Sequence, residues 1–260
     1  MKIAFIGLGN MGRALCGGLI RAGAVEPGDI TGYAPHADKL RAYADETGIR
    51  TAPNAFEAAK QSDIVILAVK PYLAEEVIGD MKGALDGKAL LSVAAGISCA
   101  KLSEMAGPEV RVQYIMPNTP VGVNAGVMMF EQENTLGKEE RETIMALFRN
   151  LGEVLELPAR LMNAGMAISG CGPAFCAMVI EALGDAGVKY GLPRAQAYKL
   201  ASMTLLGTGK MQLETGMHPG ALKDGVCSPA GTTILGVEVL EKAGLRAAMM
   251  DAVKAVMDKK

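Results

Sequence analysis

The chain has no tryptophan, and only 4% of its 260 residues are aromatic. Stacking platforms for nucleic-acid bases therefore have little to be built from. The formal charge is −2, which leaves no cationic footprint for a phosphate backbone. Histidine occurs twice, as His36 and His218, and the five cysteines form no C-x-x-C pair, so no metal-ligand cluster is expected. The odd set Cys16, Cys99, Cys171, Cys176 and Cys227 reads as small buried thiols of a reducing, cytoplasmic compartment. No stretch approaches the roughly 18 apolar residues of a membrane span. The apolar run after Lys2 meets glycines at once and lacks a cleavage site, so it reads as a strand and not as a leader.

What is abundant is glycine, at 32 residues, together with a hydrophobic share of 50%, enough for a sizeable core. Short apolar runs at Ile3–Ile6, Ile30–Tyr33, Ile64–Val69, Ala89–Val93 and Val110–Ile115 predict strands, the first of them buried on both faces. Helical spacing between them, at 13–22, 39–47 and 54–60, predicts a doubly wound α/β sheet. An amphipathic helix over 138–150 and a last strand over 153–157 close this half. After Pro158 the strand signals stop. Residues 161–168, 174–190, 194–213 and 233–257 read as helices, apolar around much of their circumference. The expected domains are thus 1–157, α/β, and 158–260, all-α. Helices without a polar face need a cover, which predicts a homo-oligomer with helices intertwined between subunits.

Gly7, Gly9 and Gly12 form G-x-G-x-x-G between the first strand and the first helix. The first glycine permits the tight turn, the second admits a pyrophosphate to the backbone, and the third lets helix and strand close up. The residues Gly7, Leu8, Gly9, Asn10, Met11 and Gly12 are accordingly the expected phosphate cradle of a dinucleotide. An NAD site usually carries an acid about 20 residues on. The second strand instead ends in Tyr33-Ala34-Pro35-His36, which favours NADP over NAD. His36, Lys39 and Arg41 offer donors there, although His36 is equally compatible with a solvated loop. Further ligand contacts are expected at the strand ends Ala68-Val69-Lys70-Pro71 and Met116-Pro117-Asn118-Thr119-Pro120.

Two later segments stand out. In Ser169-Gly170-Cys171-Gly172-Pro173, the proline suits the first turn of a helix. In Cys227-Ser228-Pro229-Ala230-Gly231-Thr232-Thr233, Ser228 reads as an N-cap and Pro229 as the first helical residue. Free N–H groups beside three hydroxyls there would suit a small carboxylate.

GLGNMG at 7–12, AVKP at 68–71, MPNTP at 116–120, SGCGPAF at 169–175 and HPGALKDGVCSPAGTT at 218–233 run in order through nearly the whole chain. Together they resemble pyrroline-5-carboxylate reductase. The resemblance implies an N-terminal Rossmann-type domain and a C-terminal helical dimerisation domain, with dimers that in many members associate into decamers. It implies reduction of 1-pyrroline-5-carboxylate to L-proline with NADPH or NADH, the last step of proline biosynthesis. It places Ala34, Pro35, His36 and Asn54 near the adenosine ribose, and Ala68–Pro71 and Met116–Thr119 along the nicotinamide. The substrate carboxylate is expected at Ser228, Pro229, Ala230, Gly231, Thr232 and Thr233, helped by Gly172 and partly by the neighbouring subunit. Thr233 is the candidate hydrogen-bond partner of the imine nitrogen. Two positions depart from the family pattern: Cys171 replaces a serine, and Ala230 replaces a glycine at what reads as a helix start, where a negative φ would make the extra methyl harmless. A β-hydroxyacid dehydrogenase opens with a similar glycine motif, but 174–187 lacks the lysine and asparagine that family carries on its long helix. A non-catalytic NADP sensor is the other reading, and it has no need of a carboxylate site.

Overall fold

The structure, a computed structural model, describes residues 1–259. The chain divides into two units, Met1–Cys171 and Gly172–Lys260. The first is built on one eight-stranded sheet: β1 Ile3–Ile6, β2 Ile30–Tyr33, β3 Arg50–Thr51, β4 Ile64–Leu67, β5 Ala89–Ser92, β6 Arg111–Pro117, β7 Gly126–Glu131 and β8 Gly152–Leu157. Their spatial order is β3-β2-β1-β4-β5-β6-β7-β8. Pairing is parallel from β3 through to β6, antiparallel between β6 and β7, and parallel again between β7 and β8. Six helices accompany the strands: α1 Asn10–Arg21, α2 Ala37–Thr47, α3 Ala55–Lys60, α4 Ala74–Asp80, α5 Cys99–Ala106 and α6 Lys138–Arg149.

The period-2 geometry of the strands splits their apolar runs between two cores. Ile3, Phe5, Ile64, Ile66 and Leu91 join α1 and α6 on one face. Ala4, Ile6, Val65, Leu67 and Leu90 join α3, α4 and α5 on the other. The chain leaves β1 toward β2 on one side and reaches β4 on the other. The switch point therefore lies between β1 and β4, and a crevice opens at the carboxyl ends of those strands.

Beyond β8 come α7 Ala159–Gly165 and a π turn, Met166–Gly170. The second unit holds α8 Gly172–Lys189, α9 Arg194–Thr215, α10 Pro219–Val226, α11 Thr232–Lys242 and α12 Leu245–Met257. Here α8 and α9 form a hairpin, with the Tyr198 ring seated on Gly184 and Arg194 donating to Asp185 at 2.6 Å. Little of this unit is buried. Gly184, Ala197 and Ala201 are the buried helix residues, while Met178, Leu206, Leu213, Leu235, Val239 and Met250 are exposed.

Several expectations need correction. The segment at 169–173 is no loop ahead of a helix; it belongs to a helical run, Ala159–Lys189, whose α-turns widen to a π turn at 166–170. That run of 31 residues is long and apolar enough to cross a membrane by length and composition, which the sequence reading had not found. The long C-terminal helix breaks at Gly244, whose φ is +75°. Only Cys16 and Cys99 are buried; Cys171 and Cys227 are half-buried and Cys176 is exposed, and all five are free.

Candidate active site

The glycine loop has the geometry its spacing implied. Gly7 has φ +98°, and a Cβ there would lie 2.5 Å from the Ala68 carbonyl oxygen. A Cβ on Gly12 would fall on the Gly7 carbonyl. Above Gly9 there is no atom within 4 Å of such a Cβ, so that is where a ligand can meet bare backbone. Gly9 is the N-cap of α1 and offers no side chain to it, so the first N–H groups of the helix are left for an anion.

Two cavities meet over this loop. One, of about 720 Å³, runs along Gly7–Asn10, Ala34–His36 and the face of α2. The other, of about 550 Å³, is lined by Gly9–Met11, Ala68–Pro71, Val93, Ala95, Met116, Pro117 and Thr119. Gly9, Asn10, Val69 and Lys70 belong to both. The result is one bilobed cleft pinched at the phosphate cradle, the shape that a molecule of two halves joined by a pyrophosphate requires.

Most of the expected cofactor residues line this cleft, but three do not. Gly12 lies behind the loop as a packing residue. Asn54 is the N-cap of α3 and its side chain accepts the Glu57 N–H at 2.8 Å. Asn118 is buried, and its amide is used within the fold: Oδ1 accepts the Val127 N–H at 2.9 Å and Nδ2 donates to the Ser169 carbonyl at 3.1 Å. In the other direction, the cleft has a wall that sequence reading missed. Arg13, one residue past the motif, donates from Nε to the Leu8 carbonyl (2.9 Å) and from Nη2 to the Lys39 carbonyl (3.2 Å), with its guanidinium 4.9 Å from the Tyr43 ring centre. Arg13, His36 and Lys39 gather cationic and donor groups at the β2 end, faced by Glu46 further along α2. A basic residue directly after G-x-G-x-x-G was the available signal.

In the second unit, the 228–233 segment differs from the reading that made Ser228 an N-cap. The Gly231 N–H donates to the Ser228 carbonyl at 3.0 Å, Pro229 occupies the first corner, and Ala230 has φ +57°. That is the pattern of a type II turn. The helix begins only at Thr232, with Gly231 as N-cap. The N–H of Gly231 is therefore spent inside the turn, and Ala230 stands in the left-handed region where a negative φ was expected. Ser228, Thr232 and Thr233 are exposed around the start of α11, and Gly172 opens α8. His218 is an N-cap as well, its Nδ1 accepting the Gly220 N–H at 3.0 Å, which engages the acceptor nitrogen of the ring.

Residues 159–260 match the family model for pyrroline-5-carboxylate reductase dimerisation, and residues 2–96 match that of NADP oxidoreductase, coenzyme F420-dependent. The chain is 44% identical to the pyrroline-5-carboxylate reductase of Escherichia coli over 259 residues, covering 99% of this chain and 96% of that protein. It is 41% identical to the Treponema pallidum enzyme of the same name, covering 99% of each. Among solved structures, a Plasmodium falciparum pyrroline carboxylate reductase with NADP bound superimposes with a TM-score of 0.89 at 33% identity, covering 100% of this chain and 96% of that one. A bilobed dinucleotide cleft, a helical unit too apolar to stand uncovered, and near-full-length likeness agree: the chain belongs to the pyrroline-5-carboxylate reductase family.

Proposed function

We propose that the chain performs the reaction for which its family is named, reduction of 1-pyrroline-5-carboxylate to L-proline, with NADPH preferred over NADH. The observation that carries this is the bilobed cleft, found in a chain that matches named reductases from end to end. The residues present fit the cofactor: α1 presents free N–H groups at an unobstructed Gly9, and no acid stands at the end of β2 to repel a 2′-phosphate. Bound in the cleft, the dinucleotide supplies a hydride.

The protein's share is placement. Ala34–His36 hold the adenosine end. Ala68–Pro71 with Met116, Pro117 and Thr119 wall the lobe of the nicotinamide and limit its access to water. The hydroxyls of Ser228, Thr232 and Thr233, with the backbone at Ala230 and the start of α11, take the substrate carboxylate, and Gly172 contributes room beside it. A protonated cyclic imine is already electrophilic, so holding it at hydride distance is the main task. The Thr233 hydroxyl oxygen accepts a hydrogen bond from the protonated imine N–H. In this reading 1–157 is the cofactor domain and 158–260 the dimerisation and substrate domain, a division supported by a dimerisation model that begins at 159. The oligomer is a homodimer that associates further, up to a decamer, in the cytoplasm. The exposed apolar side chains of the helical unit support the association, and light scattering measures it.

The test is loss of NADPH absorbance on adding 1-pyrroline-5-carboxylate, with NADH in parallel and proline assayed as product. Fast turnover with NADPH preferred is expected. A preference for NADH would overturn the cofactor reading, and tight NADPH binding without turnover would mark a sensor instead. Full turnover by Thr233→Val would remove Thr233 from the chemistry.

A further inference from the structure

The π turn closes with the Cys171 N–H donating to the Met166 carbonyl at 3.1 Å. Inside it, the Ser169 carbonyl has a difficulty of its own. At the α-spacing that resumes with α8, a carbonyl receives the N–H of the residue four positions on. For Ser169 that residue is Pro173, which has no N–H to give. A half-buried backbone carbonyl left without a donor is unfavourable. The donor arrives from the end of β6, as Asn118 Nδ2 at 3.1 Å.

Asn118 is fixed for this task. Its Oδ1 accepts the Val127 N–H and its own N–H donates to the Val127 carbonyl at 3.2 Å, so the amide has one orientation only. Its neighbours Met116, Pro117 and Thr119 line the nicotinamide lobe. The same strand end touches the π turn by packing, since a Cβ on Gly170 would lie 3.5 Å from Met116 Cε.

We propose that Asn118 is a positioning residue for hydride transfer, supplying to Ser169 the hydrogen bond that Pro173 cannot and thereby holding the π turn against the strand end that walls the nicotinamide lobe. This rests on the imine-reductase reading and assigns Asn118 no contact with cofactor or substrate.

The test is steady-state kinetics of the full-length oligomer with 1-pyrroline-5-carboxylate. Asn118→Ala is expected to lower kcat by about ten- to a hundredfold through misplacement. The KM for NADPH should stay near the wild-type value, and the isotope effect with NADPH deuterated at the transferred position should rise. Asn118→Ala combined with Pro173→Ala should recover most of the lost kcat, because position 173 then carries an N–H for Ser169. A double variant no faster than Asn118→Ala, or an Asn118→Ala enzyme with unchanged kcat, would overturn the proposal. Should Asn118→Ala not fold, Asn118→Asp keeps the acceptor for Val127. Its activity should rise as pH falls and the carboxyl gains a proton to donate, and a pH profile parallel to that of the wild type would overturn the proposal equally. A wild-type enzyme that turns over no imine would remove the underlying reading instead, which is a distinct result.

Discussion

Ala230 is the residue at which a single atom group can be weighed. It occupies the third position of the Ser228–Gly231 turn at φ +57°, where a Cβ crowds the following carbonyl. An L-residue in that region is disfavoured by roughly 1–2 kcal/mol relative to a right-handed one. Glycine removes that strain, but it also loosens the unfolded chain, offsetting roughly 0.4–1 kcal/mol of the gain. Ala230→Gly should therefore stabilise the folded chain by about 0.8 kcal/mol, the difference of the midpoints of those two ranges. For a chain of this size that is a rise in Tm of about 1–4 °C. The measurement is thermal unfolding at fixed protomer concentration, since oligomers melt in a concentration-dependent way. The neighbouring position supplies a control of opposite sign. Gly231 has an ordinary φ of −74°, yet a Cβ there would fall on Ser228 Oγ and lie 3.0 Å from the Ser228 carbonyl oxygen. That carbonyl accepts the Gly231 N–H, so it cannot move away without opening the turn. Gly231→Ala should destabilise by about 1–3 kcal/mol. If Ala230→Gly lowered Tm, position 230 would sit at a negative φ, and the type II turn would be wrong.

The glycine loop separates space from strain. Gly9→Ala should fold with near wild-type Tm but bind NADPH at least about tenfold more weakly in a fluorescence titration, because its Cβ occupies only the space left for phosphate. Gly12→Ala should lose about 1–3 kcal/mol of stability as well, since its Cβ meets the Gly7 carbonyl. Arg13→Met should raise the KM for NADPH by about tenfold and leave that for NADH nearly unchanged, the loss of one charge-assisted contact to a 2′-phosphate; equal loss for both cofactors would assign Arg13 to the adenosine they share. Glu131 is buried, with its Oε2 accepting the Cys99 N–H at 3.2 Å, and burial raises its pKa above the ordinary carboxylate value. In that window the folded state holds more protons than the unfolded one, so stability falls as pH rises from the unfolded pKa through the folded one. Glu131→Gln should keep the acceptor and abolish that fall, as read from urea midpoints at a series of pH values.

Parallel strands buried on both faces leave unbroken apolar runs, which is why β1, β2, β4, β5 and most of β6 were legible to within a residue or two. The same rule hides β7. Its Gly-Val-Met-Met-Phe-Glu run opens on a glycine behind a proline-rich loop and is held in place by antiparallel pairing to β6, a partner that only the fold supplies. β3 has two residues and carries no periodic signal at all. α4 and α5 are short; Ser98 caps α5 by accepting the Lys101 N–H at 3.3 Å, a local signature that was present and passed over. At the site, the phosphate cradle could be read because each glycine answers a local steric demand. Arg13 was legible only as a basic residue directly after the motif, since its place in the wall depends on the Leu8 and Lys39 carbonyls, the second of which lies 26 residues away.

The two misread positions share a cause. Serine followed by proline is a good helix start and an equally good turn start. What separates the two at 228–231 is the conformation of Ala230, a residue type that gives no sign of a positive φ. Asparagine at a strand end likewise reads as a ligand donor or as a structural tie. What decides for Asn118 is the missing N–H of Pro173, a fact plain in the sequence but without meaning until a π turn brings Ser169 to the asparagine. The cleft is thus assembled from two kinds of information. Its floor is local, written in a ten-residue stretch. Its wall is relational, built where one residue lacks a group and a distant one supplies it. Substitutions of the first kind should act singly, and those of the second should show coupling. The Asn118 and Pro173 pair is therefore where non-additivity in kcat is expected, while the stability effects of Gly9 and Ala230, in separate units, should add.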